Sequence, residues 1–217
     1  MNRSNHFEHN DDLAFYGKVN ASISHELKNI MAIISETAGL MNDLLELASR
    51  GQDVDSETIM TCGKDIMEEI QRGFTTIKQM NRFSHSVDEM LKSVNIMEVL
   101  ELTVGLAGFL SFACKVHIDL KKEGAVVFTC PFRLQNLIYQ SLVFAFRSVG
   151  PHGEIHISLQ SESNANARIT FSGISSESLG KFPTAEISQM ATSIDAKISA
   201  NREVQAFDIQ ISQLTPT

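Results

Sequence analysis

The chain has 217 residues, with 26 acidic against 18 basic side chains and a formal net charge of −8. That length allows a sizeable core and one or two domains, and the acidic balance, without any basic run, argues against a nucleic-acid partner. No apolar run reaches the roughly 20 residues of a membrane span. Met1 is followed by no signal-peptide pattern, so no membrane contact and no sensor input of its own are expected. Cys62, Cys114 and Cys130 lie far apart without C-x-x-C spacing, and read as reduced thiols of a cytoplasmic protein.

Residues 1–11 are polar and read as a disordered tail holding His6 and His9. A helix is expected over 12–49. At about 100° per residue from Ile23, the side chains of Leu27, Ile30, Ile34, Met41, Leu45 and Ala48 fall near one line, with Tyr16 and Val19 upstream. His25 falls on the opposite face, at about 200°. The flank that carries Ser22, Glu26 and Asn29 becomes apolar further on, through Ile33, Leu40, Leu44 and Leu47. A single antiparallel neighbour would not cover that arc, whereas a four-helix bundle would. Residues 50–55 form a turn with Ser56 as N-cap, and a second helix is expected over 57–91 with Ile59, Ile66, Ile70 and Ile77 as its seam. Gly63 and Gly73 lie inside it, and His85 near its end reads as solvated surface. The expectation for 12–92 is an antiparallel helical hairpin that forms a four-helix bundle as a homodimer.

From Val94 the pattern changes, and 93–217 reads as an α/β sandwich, which makes the chain α+β overall. A short helix over 96–112 precedes strands at 115–120 and 125–129, and Pro131 opens a helix running to Ser148. Further strands are expected at 154–159 and 168–171, with a polar turn at 161–165 between them. A helix over 184–198 and a strand at 205–211 close the domain. His117, His152 and His156 read as ordinary strand or turn residues.

Ser24-His25-Glu26-Leu27-Lys28-Asn29, followed by Ile30 and Ile34, resembles the H-box of the dimerisation and phosphotransfer domain of bacterial histidine kinases. The resemblance implies that His25 accepts a phosphoryl group, that Glu26 positions and deprotonates the imidazole, and that Asn29 orients water for dephosphorylating a response-regulator receiver. An unperturbed imidazole, with a pKa of about 6.5, suits that task. The order of elements beyond residue 95 resembles the family's catalytic and ATP-binding domain, most closely from Arg133-Leu134-Gln135-Asn136-Leu137-Ile138 to Pro151-His152-Gly153-Glu154-Ile155-His156-Ile157.

The residues that would do ATP chemistry are not in place. Gln140 and Phe144 stand where the family has two asparagines, and a phenyl ring cannot hold Mg²⁺. Phe171-Ser172-Gly173-Ile174 lacks the family's aspartate, and between Ile174 and Ile187 there is one glycine, Gly180. ATP binding is therefore not expected of this degenerate domain, and no cofactor of its own is expected. The function this implies is a histidine phosphotransferase of a two-component phosphorelay, taking phosphoryl from one receiver aspartate and passing it to another, with Mg²⁺ supplied on the receiver. The alternatives are a divergent ATP-dependent histidine kinase/phosphatase, or a non-catalytic dimeric module that binds a response regulator.

Overall fold

The computed structural model describes residues 4–108, 114–119, 125–162 and 166–213, and side chains from Asp12 onward. It is α+β, a helical hairpin followed by a mixed sheet with helices. Helix α1 spans Ser4–Ser49 and α2 spans Ser56–Ser84, followed by a 3-10 turn at His85–Val87. Helix α1 thus starts before Asp12, and its first turns run through what reads in sequence as a disordered tail; residues 1–3 lie outside the described residues. Helix α2 ends earlier than expected, before strand β1 (Lys92–Asn95). The N-cap of α2 is Asp55 and not Ser56. Its Oδ1 accepts from the Glu57 N–H at 3.0 Å and its Oδ2 from the Thr58 hydroxyl at 3.0 Å, bonds that hold this carboxyl below its usual range.

Two compact units make up the chain, Gly17–Asn81 and a second that joins Met1–Tyr16 to Arg82–Thr217. Boundaries at residues 12 and 92 therefore do not coincide with the packing, and aromatic rings explain why. Phe15 of α1 and Phe83 at the end of α2 meet edge to face with centroids 5.5 Å apart, and Phe15 also packs on Phe132 at 5.3 Å and Tyr139 at 5.2 Å. Burying such rings outweighs their position in the sequence, because each removes a large apolar area from water. Both ends of the hairpin belong to the unit that contains the sheet.

Within the first unit, Val19, Ile23 and Ile30 are buried as the α1 periodicity predicts, while Leu27, Ile34 and Met41 are half-buried and Leu45 and Ala48 are exposed. The seam of α2 is rotated from the expected one. Cys62, Gly73 and Thr76 are buried, whereas Ile59, Ile66 and Ile70 are half-buried and Ile77 is exposed. Gly73 faces Ile30: a Cβ there would meet Ile30 Cγ2 at 3.7 Å, an ordinary van der Waals contact.

In the second unit, α3 (Ile96–Gly108) follows β1, and β1 pairs antiparallel with β3 (Val126–Thr129). The main sheet has the order β2-β4-β5-β7-β6, from β2 (Lys115–Asp119), β4 (Glu154–Glu162), β5 (Asn166–Ser172), β6 (Lys197–Asn201) and β7 (Ala206–Ile211). Among the described strands, β2 and β4 run parallel and the other pairs of this sheet are antiparallel. Ile155, Ile157 and Leu159 alternate inward with Ala167, Ile169 and Phe171 and with Phe207, Ile209 and Ile211. Helix α4 (Pro131–Val149) supplies Leu134, Leu137, Ile138, Leu142 and Ala145 to the core. Two short helices, α5 (Ser176–Leu179) and α6 (Ala185–Ser193), precede the edge strand β6. The expected helix over 184–198 therefore stops early, and the polar turn at 161–165 falls partly outside the described residues. Gly173, at the exit of β5, has φ +95°, and a Cβ there would lie 2.7 Å from the Glu154 carbonyl oxygen, so only glycine fits.

Tyr139 is 1% exposed, and burial pushes its hydroxyl up to about 12. Because the folded value is raised, the unfolded chain ionises first, and stability present below about pH 10 is lost as pH rises towards 12. Urea midpoints measured across that window should fall by the equivalent of about 2–3 kcal/mol, and Tyr139→Phe should remove much of the slope.

Candidate functional site

His25, Glu26 and Asn29 lie within about one turn on α1, opposite or beside the buried line of Ile23 and Ile30. His25 and Asn29 are exposed and Glu26 is half-buried. Asn29 Nδ2 lies 3.2 Å from His25 Nδ1. With the amide N–H donating, Nδ1 accepts and the ring proton sits on Nε2. With the amide turned over, Oδ1 accepts from Nδ1–H, and Nε2 keeps a free lone pair directed to solvent. The amide can serve either tautomer, and the contact fixes the ring plane in both.

The Glu26 carboxylate is engaged elsewhere. Its Oε1 accepts from Arg72 of α2, and the same guanidinium donates to both oxygens of Glu69 at 3.0 Å. The hydrogen bond to Glu26 is the main cause that raises the Arg72 pKa above its usual value. Sequence reading pairs Glu26 with its neighbour His25, whereas the structure pairs it across the hairpin and leaves the ring contact to Asn29. Arg72 is not a residue that the sequence singles out. The only hint there is its i,i+3 spacing from Glu69, which says nothing of α1.

In the second unit, Gln140 and Phe144, which stand where the resemblance expects nucleotide ligands, are both engaged with other side chains, Gln140 with Asn136. Asn136 is fully buried; its Nδ2 donates to the thioether sulfur of Met190 on α6 at 3.3 Å, while its Oδ1 accepts from Gln140 at 3.3 Å. Phe144 packs on Phe182 at 5.0 Å and on Phe207 at 6.0 Å. Both positions are tied into packing between helices and sheet. Elsewhere, His117 and His156 are drawn together as direct neighbours across β2 and β4, which sequence reading does not foresee.

No protein-family model matches the sequence, and no curated protein does either. Among solved structures, the histidine kinase AdeS of Acinetobacter baumannii is similar at 13% identity and a TM-score of 0.44, over 82% of this chain and 96% of that one. Histidine kinase ThkA, crystallised with the response regulator TrrA, is similar at 20% identity and a TM-score of 0.46, over 93% of this chain and 63% of its own. The ATP-binding domain of PrrB from Mycobacterium tuberculosis gives 14% identity and a TM-score of 0.47, over 59% of this chain and all of that one.

Arg72 is partly exposed and Glu26 largely covered, at 45% and 14% of their side-chain surface. A double-mutant cycle of Glu26→Gln and Arg72→Met, read by urea unfolding, should give a coupling of about 1 kcal/mol, the upper end for such pairs. The coupling should shrink in high salt.

Proposed function

We propose that this chain is a histidine phosphotransferase in two-component signalling, with His25 as the phosphoryl acceptor. The observation that carries the reading is the exposed His25 imidazole held by the Asn29 amide one turn away. In this reading Oδ1 of Asn29 accepts from Nδ1–H, and the Nε2 lone pair attacks the phosphorus of a receiver's aspartyl phosphate. The N–P bond forms as the P–O bond to the aspartate breaks, and the carboxylate leaves with the bonding pair. The positive charge left on the ring is stabilised by the amide oxygen. Positioning is the main contribution required of this chain, since the receiver brings its own Mg²⁺. Glu26 contributes by anchoring Arg72 and hence the register of the two helices at the site.

Phe144, whose ring packs on Phe182 and has no ligand atom to offer, and Gln140, which donates to Asn136, support loading by a partner over loading from ATP. The second reading is a divergent ATP-dependent histidine kinase/phosphatase, which agrees with the names of the similar solved structures. The relay assignment rests on the chain's own residues. Incubation with a labelled phospho-receiver should put acid-labile phosphate on the parent protein and none on His25→Ala. Label from ATP and Mg²⁺ alone would favour the second reading. Receiver binding that survives His25→Ala, with no label ever transferred, would identify a binding module. Equal labelling of His25→Ala would remove His25 from the mechanism.

The same reading includes a homodimer. Met60, Met67 and Phe74, spaced seven residues apart on α2, are 69%, 64% and 63% exposed in the single chain. Counted at about 100° per residue from the contact at Gly73, they lie at about 100–140°, whereas Arg72 lies at about 260°. A second copy seated on this stripe would bury it and leave His25 open. Phe74→Glu should weaken self-association at least about thirtyfold, the equivalent of about 2 kcal/mol, by analytical ultracentrifugation.

A further inference from the structure

The solvent face of the sheet carries a cluster with no part in the chemistry above. Parallel pairing of β2 with β4 sets His117 directly beside His156. Their rings stack with centroids 4.8 Å apart and planes 16° from parallel. That separation is the spacing of adjacent strands, so it is imposed by the backbone and not by the side chains. Glu154 precedes His156 by two residues and therefore projects from the same face. Its Oε2 lies 3.5 Å from His117 Nε2, and one ligand atom from each of the three residues lies within 4.8 Å of the others. His117 and His156 line an open depression of about 320 Å³ together with Asp119, Ser158 and Ser172.

We infer that His117, His156 and Glu154 form a binding site for a divalent transition-metal ion of the Zn²⁺ class. Two imidazoles and a carboxylate are the donor set that borderline ions such as Zn²⁺ prefer over Mg²⁺ or Ca²⁺. With bonds of 2.0–2.1 Å, tetrahedral coordination needs ligand atoms about 3.3 Å apart. The His117–Glu154 pair is already near that span at 3.5 Å, and all three side chains are exposed and free to rotate by the remainder. Lys115 Nζ lies 3.7 Å from the other Glu154 oxygen, Oε1, and so leaves Oε2 to the ion. Three protein ligands leave a fourth position open to water or to a donor from another molecule.

Titration of the full-length protein with Zn²⁺ against a competing chelator tests the site. The parent chain should bind one ion, and His117→Ala and His156→Ala should each weaken binding at least about 100-fold, beyond what loss of an outer-shell partner costs. Glu154→Gln should weaken it less, and His85→Ala should leave it unchanged. Melting curves without zinc establish that the variants fold. X-ray absorption at the zinc edge of the parent protein should show two imidazole nitrogens. Undiminished binding by the His117→Ala/His156→Ala double variant overturns the assignment, as do thiolate ligands in the absorption spectrum or no zinc binding by the parent.

Discussion

The packing of α1 on α2 at Ile30 and Gly73 is the constraint on which the placement of His25 depends. Ile23 and Ile30 are both fully buried, and burying each side chain contributes about 1.5–3 kcal/mol. Gly73 is buried opposite Ile30, at a distance where an added Cβ would make ordinary contact with Ile30 Cγ2. Once those contacts fix the rotation of α1, His25 has to face outward, since it sits more than a third of a turn from either isoleucine. Arg72 then secures the register one residue from Gly73, where it reaches Glu26. Apolar burial sets the face of the helix, and the ion pair sets its position along the axis.

In the sheet unit the same division holds between burial and polar placement. Strict alternation puts Ile155 and Ile157 into the core, which leaves Glu154 and His156 no choice but the outer face. Gly173, with its backbone against Glu154, holds the start of β4 beside the end of β5. The rings of Phe144, Phe182 and Phe207 fill the interior between α4 and the sheet, and Phe171 stacks on Phe207 at 4.7 Å. An aromatic cluster of this kind contributes stability through buried area and cannot at the same time present polar ligands.

The two long helices and most core strands are legible in the sequence because their apolar periods are long and regular. What escapes is short or depends on distant partners. Strand β1 has one buried side chain, Val94, and is a strand because β3 pairs with it. Strand β6 is an edge whose Ile198 continues the apolar pattern of α6. The break between them comes at Asp195, which adopts φ +54°, a left-handed conformation that ends helices and that no periodicity reports. His25 and Asn29 can be paired from sequence because one helical turn separates them. Arg72 and Glu26 cannot, since their meeting depends on the rotation of α2, which the small residues Gly73 and Thr76 set against the more apolar Ile70 and Ile77.

Histidines with identical intrinsic chemistry are given different prospects by the backbone that carries them. On the exposed flank of α1, His25 pairs with the Asn29 amide and, among the described residues, joins no cluster of metal-binding side chains. In the proposed relay, that isolation suits a nucleophile whose product must be released again to a partner. On β2 and β4 the parallel register brings two rings to strand spacing and adds a carboxylate from the same face. Three converging donors hold an ion better than they hold a transferable group, because each added ligand slows its departure. In this chain the flank of α1 presents His25 singly, and the paired surface of β2 and β4 presents His117 and His156 together.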